Sequence, residues 1–246
     1  MVMSQILKIE DVLEFVKANR LYAGIERVPV TDYDMGNALE VVTAIGRIRN
    51  RDFVIDEENR FAYENFIRWC HGDPAMQAID PITGKVVQGD INRGIYIAGN
   101  TGSGKSWCLD VMLTYSRAWG FQVGLSEARA ERSIVNLFWV TSRADAICQE
   151  YTSTGDIAKF RSAPILGIQD LGQEPREMLY MGNRQNVLRQ LLEYRGDCDG
   201  KLTLITSNLR ISSERLRNDY GDRVQSRLCE MCNYIEMKGK DRRKRI

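Results

Sequence analysis

The chain has 246 residues, with 34 Lys and Arg against 33 Asp and Glu and a formal net charge of +1. Its 43% hydrophobic and 27% charged residues are those of a globular protein, and no apolar run approaches the roughly 18 residues that a bilayer span needs. A membrane protein and a disordered chain are thereby excluded, and the length suits one domain with an appendage.

The opening MVMSQILKIE carries no basic, apolar and cleavage regions in series, so a cytoplasmic location is expected. Ser4 is placed to cap a helix whose Ile6, Ile9, Leu13 and Val16 share one face. After TDYD the same spacing recurs in Met35, Leu39, Val42 and Ile45. A third helix, from about Asn59 to His71, turns Phe66, Ile67, Trp69 and Cys70 inward and leaves His71 at a solvated end. The following HGDPAMQAIDPITGKVVQGDINR reads as a loop.

Residues 1–90 carry 10 basic and 15 acidic side chains, a balance of −5, and residues 91–246 carry 24 and 18, a balance of +6. An acidic front repels phosphate backbones and suits a protein partner, whereas the basic rear suits nucleic acid. The expected organisation is a helical partner-binding segment over residues 1–52 and a second domain over 53–246.

From residue 94 the period changes. The apolar runs GIYIAG, NLFWVT, PILGIQD, KLTLIT and NYIEM are too short for helices and alternate with helix-like stretches. They predict an α/β fold with a parallel sheet covered on both faces, whose ligands bind at the carboxyl ends of the strands. Six cysteines show no framework spacing, so no disulfides are expected. Cys229 and Cys232 have zinc-knuckle spacing without a second pair, and read as packed free thiols.

At the end of the first run stands Gly99, Asn100, Thr101, Gly102, Ser103, Gly104, Lys105, Ser106, a match to G-x-x-x-x-G-K-[ST], followed by Trp107. A strand precedes it and SWCLDVMLTYSRAW supplies a helix with Cys108, Val111, Met112 and Tyr115 on its apolar face. Glycines let backbone N–H groups curl around phosphate oxygens, the lysine reaches the β and γ phosphates of ATP, and the serine hydroxyl meets Mg²⁺. Asp170 ends PILGIQD at the Walker B position, and Asn208 follows KLTLIT, where its amide can orient a water. Arg223 and Arg227 lie one turn apart on a predicted helix, and either could reach a neighbouring subunit. In the tail KGKDRRKRI, Arg242 and Arg243 read equally as solvated tail, nucleotide sensor or DNA contact.

Taken in order, GNTGSGKS, ILGIQDLGQEP, TLITSNL and YGDRVQSRLCEMCNYIEMKGKDRR resemble the DnaC/DnaI/IstB branch of the AAA+ ATPases over about residues 53–243. The resemblance implies a five-stranded ASCE-type core, nucleotide at subunit boundaries, homo-oligomeric rings or spirals, and a partner-binding front segment. In helicase loaders that partner is the replicative helicase. Lys105 and Ser106 are then implied to hold ATP and Mg²⁺, Asn208 to be sensor 1, Arg227 the trans-acting finger with Arg223 in reserve, and Arg243 the sensor 2 arginine.

Two features depart from that pattern. Before L-G the family carries two acids, where this chain has Gln169 and Asp170. An amide binds hard cations less well, and strand alternation turns Asp170 to the opposite face, so ATP binding with slow hydrolysis is expected. The stretch from Gly120 to Asn136 looks inserted and reads as a solvated helix or, through Arg129 and Arg132, as a channel for single-stranded DNA. The leading function is a helicase loader; an IstB-like helper of transposition shares the motifs and differs in partner. A small-metabolite kinase is disfavoured by the Asp170, Asn208 and SRL series.

Overall fold

The computed structural model describes residues 8–19, 21–22, 24–126, 131–239 and 241–242. Its elements run α1 (Ile9–Ala18), β1 (Gly24–Arg27), α2 (Met35–Arg49), α3 (Arg60–His71), β2 (Gln77–Ile79), β3 (Val86–Gln88), β4 (Gly94–Ala98) and α4 (Lys105–Trp119). Then come β5 (Gln122–Ser126), β6 (Ser133–Asn136), β7 (Val140–Arg143), α5 (Ala144–Thr154), α6 (Ala158–Ser162), β8 (Ile165–Leu171), β9 (Met178–Tyr180) and β10 (Asn183–Gln185). The last are α7 (Val187–Gly196), β11 (Leu202–Ser207), α8 (Glu214–Met231) and β12 (Cys232–Glu236).

The five apolar runs each contribute to one sheet of order β12-β4-β11-β8-β7, in which every neighbouring pair is parallel. Strand alternation splits β4 between two cores: Ile95 and Ile97 join one, and Tyr96 and Ala98 the other. The first core is roofed by α2, α3 and α4 through Val42, Phe66 and Met112, and the second by α5, α7 and α8 through Ile147, Leu191 and Val224. Helix α2 starts where the Asp34 carboxylate accepts from Asn37 N at 2.7 Å, the cap that TDYD announces. Its Ala38 and Val42 share the core beside the sheet, whereas α1 buries none of its residues.

Several expectations change. Ser4 lies outside the described residues, and α1 has Lys8 at its N-cap with no side-chain cap. The segment after His71 contains the antiparallel β2–β3 hairpin. The stretch expected as a helix after Gly120 is an antiparallel hairpin, β5–β6, with β1 added alongside β5. Val123 and Leu125 alternate into the first core there, a period of two that the charged EARAERS stretch obscures. Arg132 pairs with Glu26 across this sheet, and Arg129 lies outside the described residues. In NLFWVT the middle is not strand: Asn136 ends β6 and Val140 begins β7. Leu137 and Trp139 are core residues before β7, Trp139 stacking on Phe66 at 5.7 Å. All six cysteines are free; Cys232 is buried, but Cys229 is exposed rather than packed.

The largest correction concerns His71, which is fully buried instead of solvated. Its ring stacks on Tyr33 at 3.8 Å, with Nδ1 2.9 Å from Val30 O and Nε2 2.8 Å from the Tyr115 hydroxyl. A carbonyl only accepts, so Nδ1 carries the proton and Nε2 accepts from Tyr115. Burial holds the imidazole below its usual pKa of 6.5, with the Val30 contact and Asp73 opposing weakly. An unfolded chain therefore takes up the proton first as the medium acidifies. Stability is full above the ordinary histidine range and falls as pH drops below it toward the depressed folded value. Urea midpoints at pH 7.5 and 5.5 should fall more for the wild type than for His71→Gln; equal falls would remove this assignment.

Candidate nucleotide site

Strand β4 delivers the chain at Ala98 to the phosphate-loop segment, and α4 begins at Lys105. Between them Gly102 and Gly104 adopt φ of 80° and 96°, left-handed values that side-chain-bearing residues rarely take. A Cβ at Gly102 would also collide with Asp241. The resulting turn borders a cavity of about 460 Å³. Its lining includes Thr101 to Trp107, Asp170 and Asn208, with Asn50, Phe53, Tyr63 and Arg242 among the remaining residues. This lining includes residues from the front segment, and the aromatic pair Phe53 and Trp107 lies 6.3 Å apart and nearly parallel.

Lys105 is 5% exposed, and its ammonium donates to Gly99 O at 2.8 Å, Asn100 O at 2.8 Å and Asn208 Oδ1 at 2.7 Å. Asn208 in turn donates through Nδ2 to Thr101 Oγ1 at 3.3 Å. The lysine, the strand-end amide and the loop thus form one polar unit, although Lys105 and Asn208 are 103 residues apart in the chain. Ser103 is fully buried in the cavity wall, and its hydroxyl has no hydrogen-bond partner among the described residues. An orphaned buried hydroxyl is costly unless something polar reaches it, and phosphate oxygens are suitable acceptors.

Asp170 does not point away from this unit. Against β11, Ile168 pairs with Ile205 and Leu171 with Ser207, so β8 takes three steps where β11 takes two. The surplus residue is a β-bulge at Gln169 and Asp170, with Asp170 at φ 59° and its N–H donating to Thr206 Oγ1 at 3.1 Å. A bulge breaks strict alternation, and both side chains reach α4. Asp170 Oδ1 accepts from Ser106 Oγ at 3.1 Å, and Gln169 Nε2 donates to Asp110 Oδ1 at 2.9 Å. Arg143, the last residue of β7, pairs with the other Asp170 oxygen at 3.4 Å.

Among the described residues no group of three or more His, Cys, Asp or Glu gathers as a metal cage. Ser106 and Asp170 instead offer hard oxygen donors beside the phosphate loop. Mg²⁺ is commonly held in that way, by one or two protein oxygens plus substrate phosphates and water, so the residues fit it.

Arg243 lies outside the described residues. Its neighbour Arg242 lines the cavity, with its backbone N–H on Gly102 O at 3.0 Å and Nη2 on Asp56 Oδ1 at 2.7 Å. That hydrogen bond holds the Asp56 carboxyl below its usual range, while the Arg242 Nε is buried without a partner among the described residues. Arg223 and Arg227 do not line the cavity. Both bind Asp197 beyond the end of α7, at 2.8 and 2.6 Å, and Arg227 also binds Glu230 at 2.8 Å. Sequence reasoning missed Asp110, Phe53 and Tyr63; only Asp110 carried a signal, its position one turn after Ser106 on the same helix face.

No family model matches the chain, and no curated protein matches it. Among solved structures, a protein of Streptococcus pyogenes serotype M3 described as a primosome component is similar at a TM-score of 0.52 and 18% identity, over 77% of this chain and 85% of that one. A DnaI structure and a DnaC helicase loader structure are each 16% identical at a TM-score of 0.48, covering 79% and 77% of this chain and 93% and 95% of theirs. The likeness to the first is one of fold: the chain has the P-loop NTPase architecture of a parallel five-stranded sheet between helical layers.

Proposed function

We propose that this chain is an AAA+ ATPase of the DnaC/DnaI kind that binds ATP with Mg²⁺, hydrolyses it slowly and loads a replicative helicase. The observation that carries the reading is the junction of Lys105, Asn208, Ser106 and Asp170 at the mouth of one glycine turn. The backbone N–H groups of Gly102 to Ser106 and the start of α4 favour phosphate, and Lys105 exchanges its internal acceptors for phosphate oxygens. Ser106 and Asp170 hold Mg²⁺, which when bound draws charge from the phosphates. Asn208 orients the attacking water. Turnover is slow because the strand end offers one carboxylate, Asp170, beside the amide of Gln169. Arg243 is the sensor 2 arginine, next to Arg242, whose backbone N–H meets Gly102 O, and Arg227, with Arg223 in reserve, serves a neighbouring copy in a homo-oligomer.

The likeness of fold to a primosome component supports a replication role. Residues 1–52 form the partner-binding segment, and α1 is its most available part, with Ile9 78% and Phe15 60% exposed and nothing buried. Contact with single-stranded DNA belongs to the net basic residues 91–246, in which Arg132 is paired with the exposed Glu26. No described helix is long and apolar enough to cross a membrane. The IstB-like reading keeps the same site and exchanges helicase for transposase.

The test compares the whole chain with one lacking residues 1–19, each offered a hexameric helicase or a transposase in the presence of ATP. Helicase capture by the whole chain alone, with ATP uptake equal in both, is expected. Transposase capture would select the second reading, and capture of neither would sink both.

A further inference from the structure

The amide at position 169 is not an isolated loss. Asp110 stands one helical turn after Ser106 on α4, lines the same cavity, and accepts from Gln169 Nε2 at 2.9 Å. The same Gln169 nitrogen lies 3.4 Å from Ser106 O, so the amide is seated between two points of the phosphate-loop helix. A carboxylate only accepts, which fixes the orientation of the amide: nitrogen toward Asp110. The second Asp110 oxygen pairs with Arg49 Nη1 at 3.3 Å, and the Arg49 guanidinium lies over the Trp107 ring at 4.7 Å. The Arg49 side chain is 61% exposed, so this pair neutralises little of the Asp110 charge.

An acid at position 169 would set two carboxylates, both of them acceptors, at hydrogen-bonding distance, and the contact that seats Asp110 would be lost. The chain instead carries an amide on the strand and an acid on the helix, and the pair keeps one negative charge in the cavity wall beside Ser106. We infer that Asp110 supplies the carboxylate that position 169 lacks, with Gln169 as its positioning residue, so that cation affinity is kept although the strand carries a single acid. The inference rests on the nucleotide reading above and deepens it. Turnover stays slow, because the acid enters from the helix and not from the strand end.

The test is an exchange of charge at constant shape: Asp110→Asn, Gln169→Glu and the double variant. Mn²⁺ affinity of the protein with a slowly hydrolysed ATP analogue is read by electron paramagnetic resonance, and melting points without nucleotide check folding. Asp110→Asn should weaken Mn²⁺ binding about tenfold, as loss of an outer-shell partner does, while analogue uptake in EDTA is unchanged. Gln169→Glu alone should bring no gain, and the double variant should return to within about threefold of wild type, the coupling expected of a contacting pair. Unchanged Mn²⁺ affinity in Asp110→Asn, or no recovery in a folded double variant, overturns the inference. Failure of the wild type to take up the analogue with or without cation is a separate result, and it overturns the nucleotide reading first.

Discussion

Lys105→Ala is expected to lower affinity for ATP with Mg²⁺ about a hundredfold and to abolish the rise in melting point that the nucleotide produces. The ammonium is almost wholly buried, and its acceptors are two backbone carbonyls of the loop and the Asn208 amide, all within 2.8 Å. In that setting a charge-assisted contact to phosphate is worth about 3 kcal/mol, roughly two orders of magnitude in affinity. Removing the side chain also leaves Gly99 O, Asn100 O and Asn208 without this donor, so the nucleotide-free melting point of the variant is the control for folding. Isothermal titration with both proteins gives the answer. Affinity within threefold of wild type in a folded variant would mean that the glycine turn is only a turn.

Arg195→Met should be the most destabilising single change in the second core. The residue is 1% exposed, and its guanidinium donates to Thr203 Oγ1 at 2.9 Å, Phe160 O at 3.0 Å, Ala163 O at 2.8 Å and Leu202 O at 2.6 Å. One side chain thus ties α7 to the turn between α6 and β8 and to the start of β11, two strands that end at the candidate site. Burial pushes its pKa down to about 10, so it remains charged at neutral pH. Methionine fills much of the volume but strands several buried carbonyls, at a cost of about 3–5 kcal/mol. For a chain of this size that corresponds to a fall in melting point of roughly 6–15 °C. Arg195→Lys should recover little, because a point charge cannot reach a planar fan of acceptors. A loss below about 1 kcal/mol would show that water replaces the guanidinium.

The features legible from residues alone are those whose physics is local. Gly102 and Gly104 flank a contiguous turn between a run of strand and a run of helix, and Asp34 caps a helix three residues away, so neighbours in the chain carry the whole signal. Four of the five core strands, β4, β8, β11 and β12, are legible because each is a short apolar run that buries both faces, whereas at the edge strand β7 the apolar signal comes from Leu137 and Trp139 just before it. What only tertiary structure decided depends on pairing between distant segments. Gln169 and Asp170 reach the same helix because β8 gains one residue on β11, a register that belongs to the pair and not to either strand. Arg242 lines the cavity because Met237 N continues the β12–β4 pairing onto Ala98 O at 2.8 Å and directs the following residues over Gly102. His71 is buried by Tyr33, Tyr115 and Phe121, contributed from both sides of it in the chain. A side-chain period can be read along one segment, whereas register and burial are set by where another segment comes to rest against it.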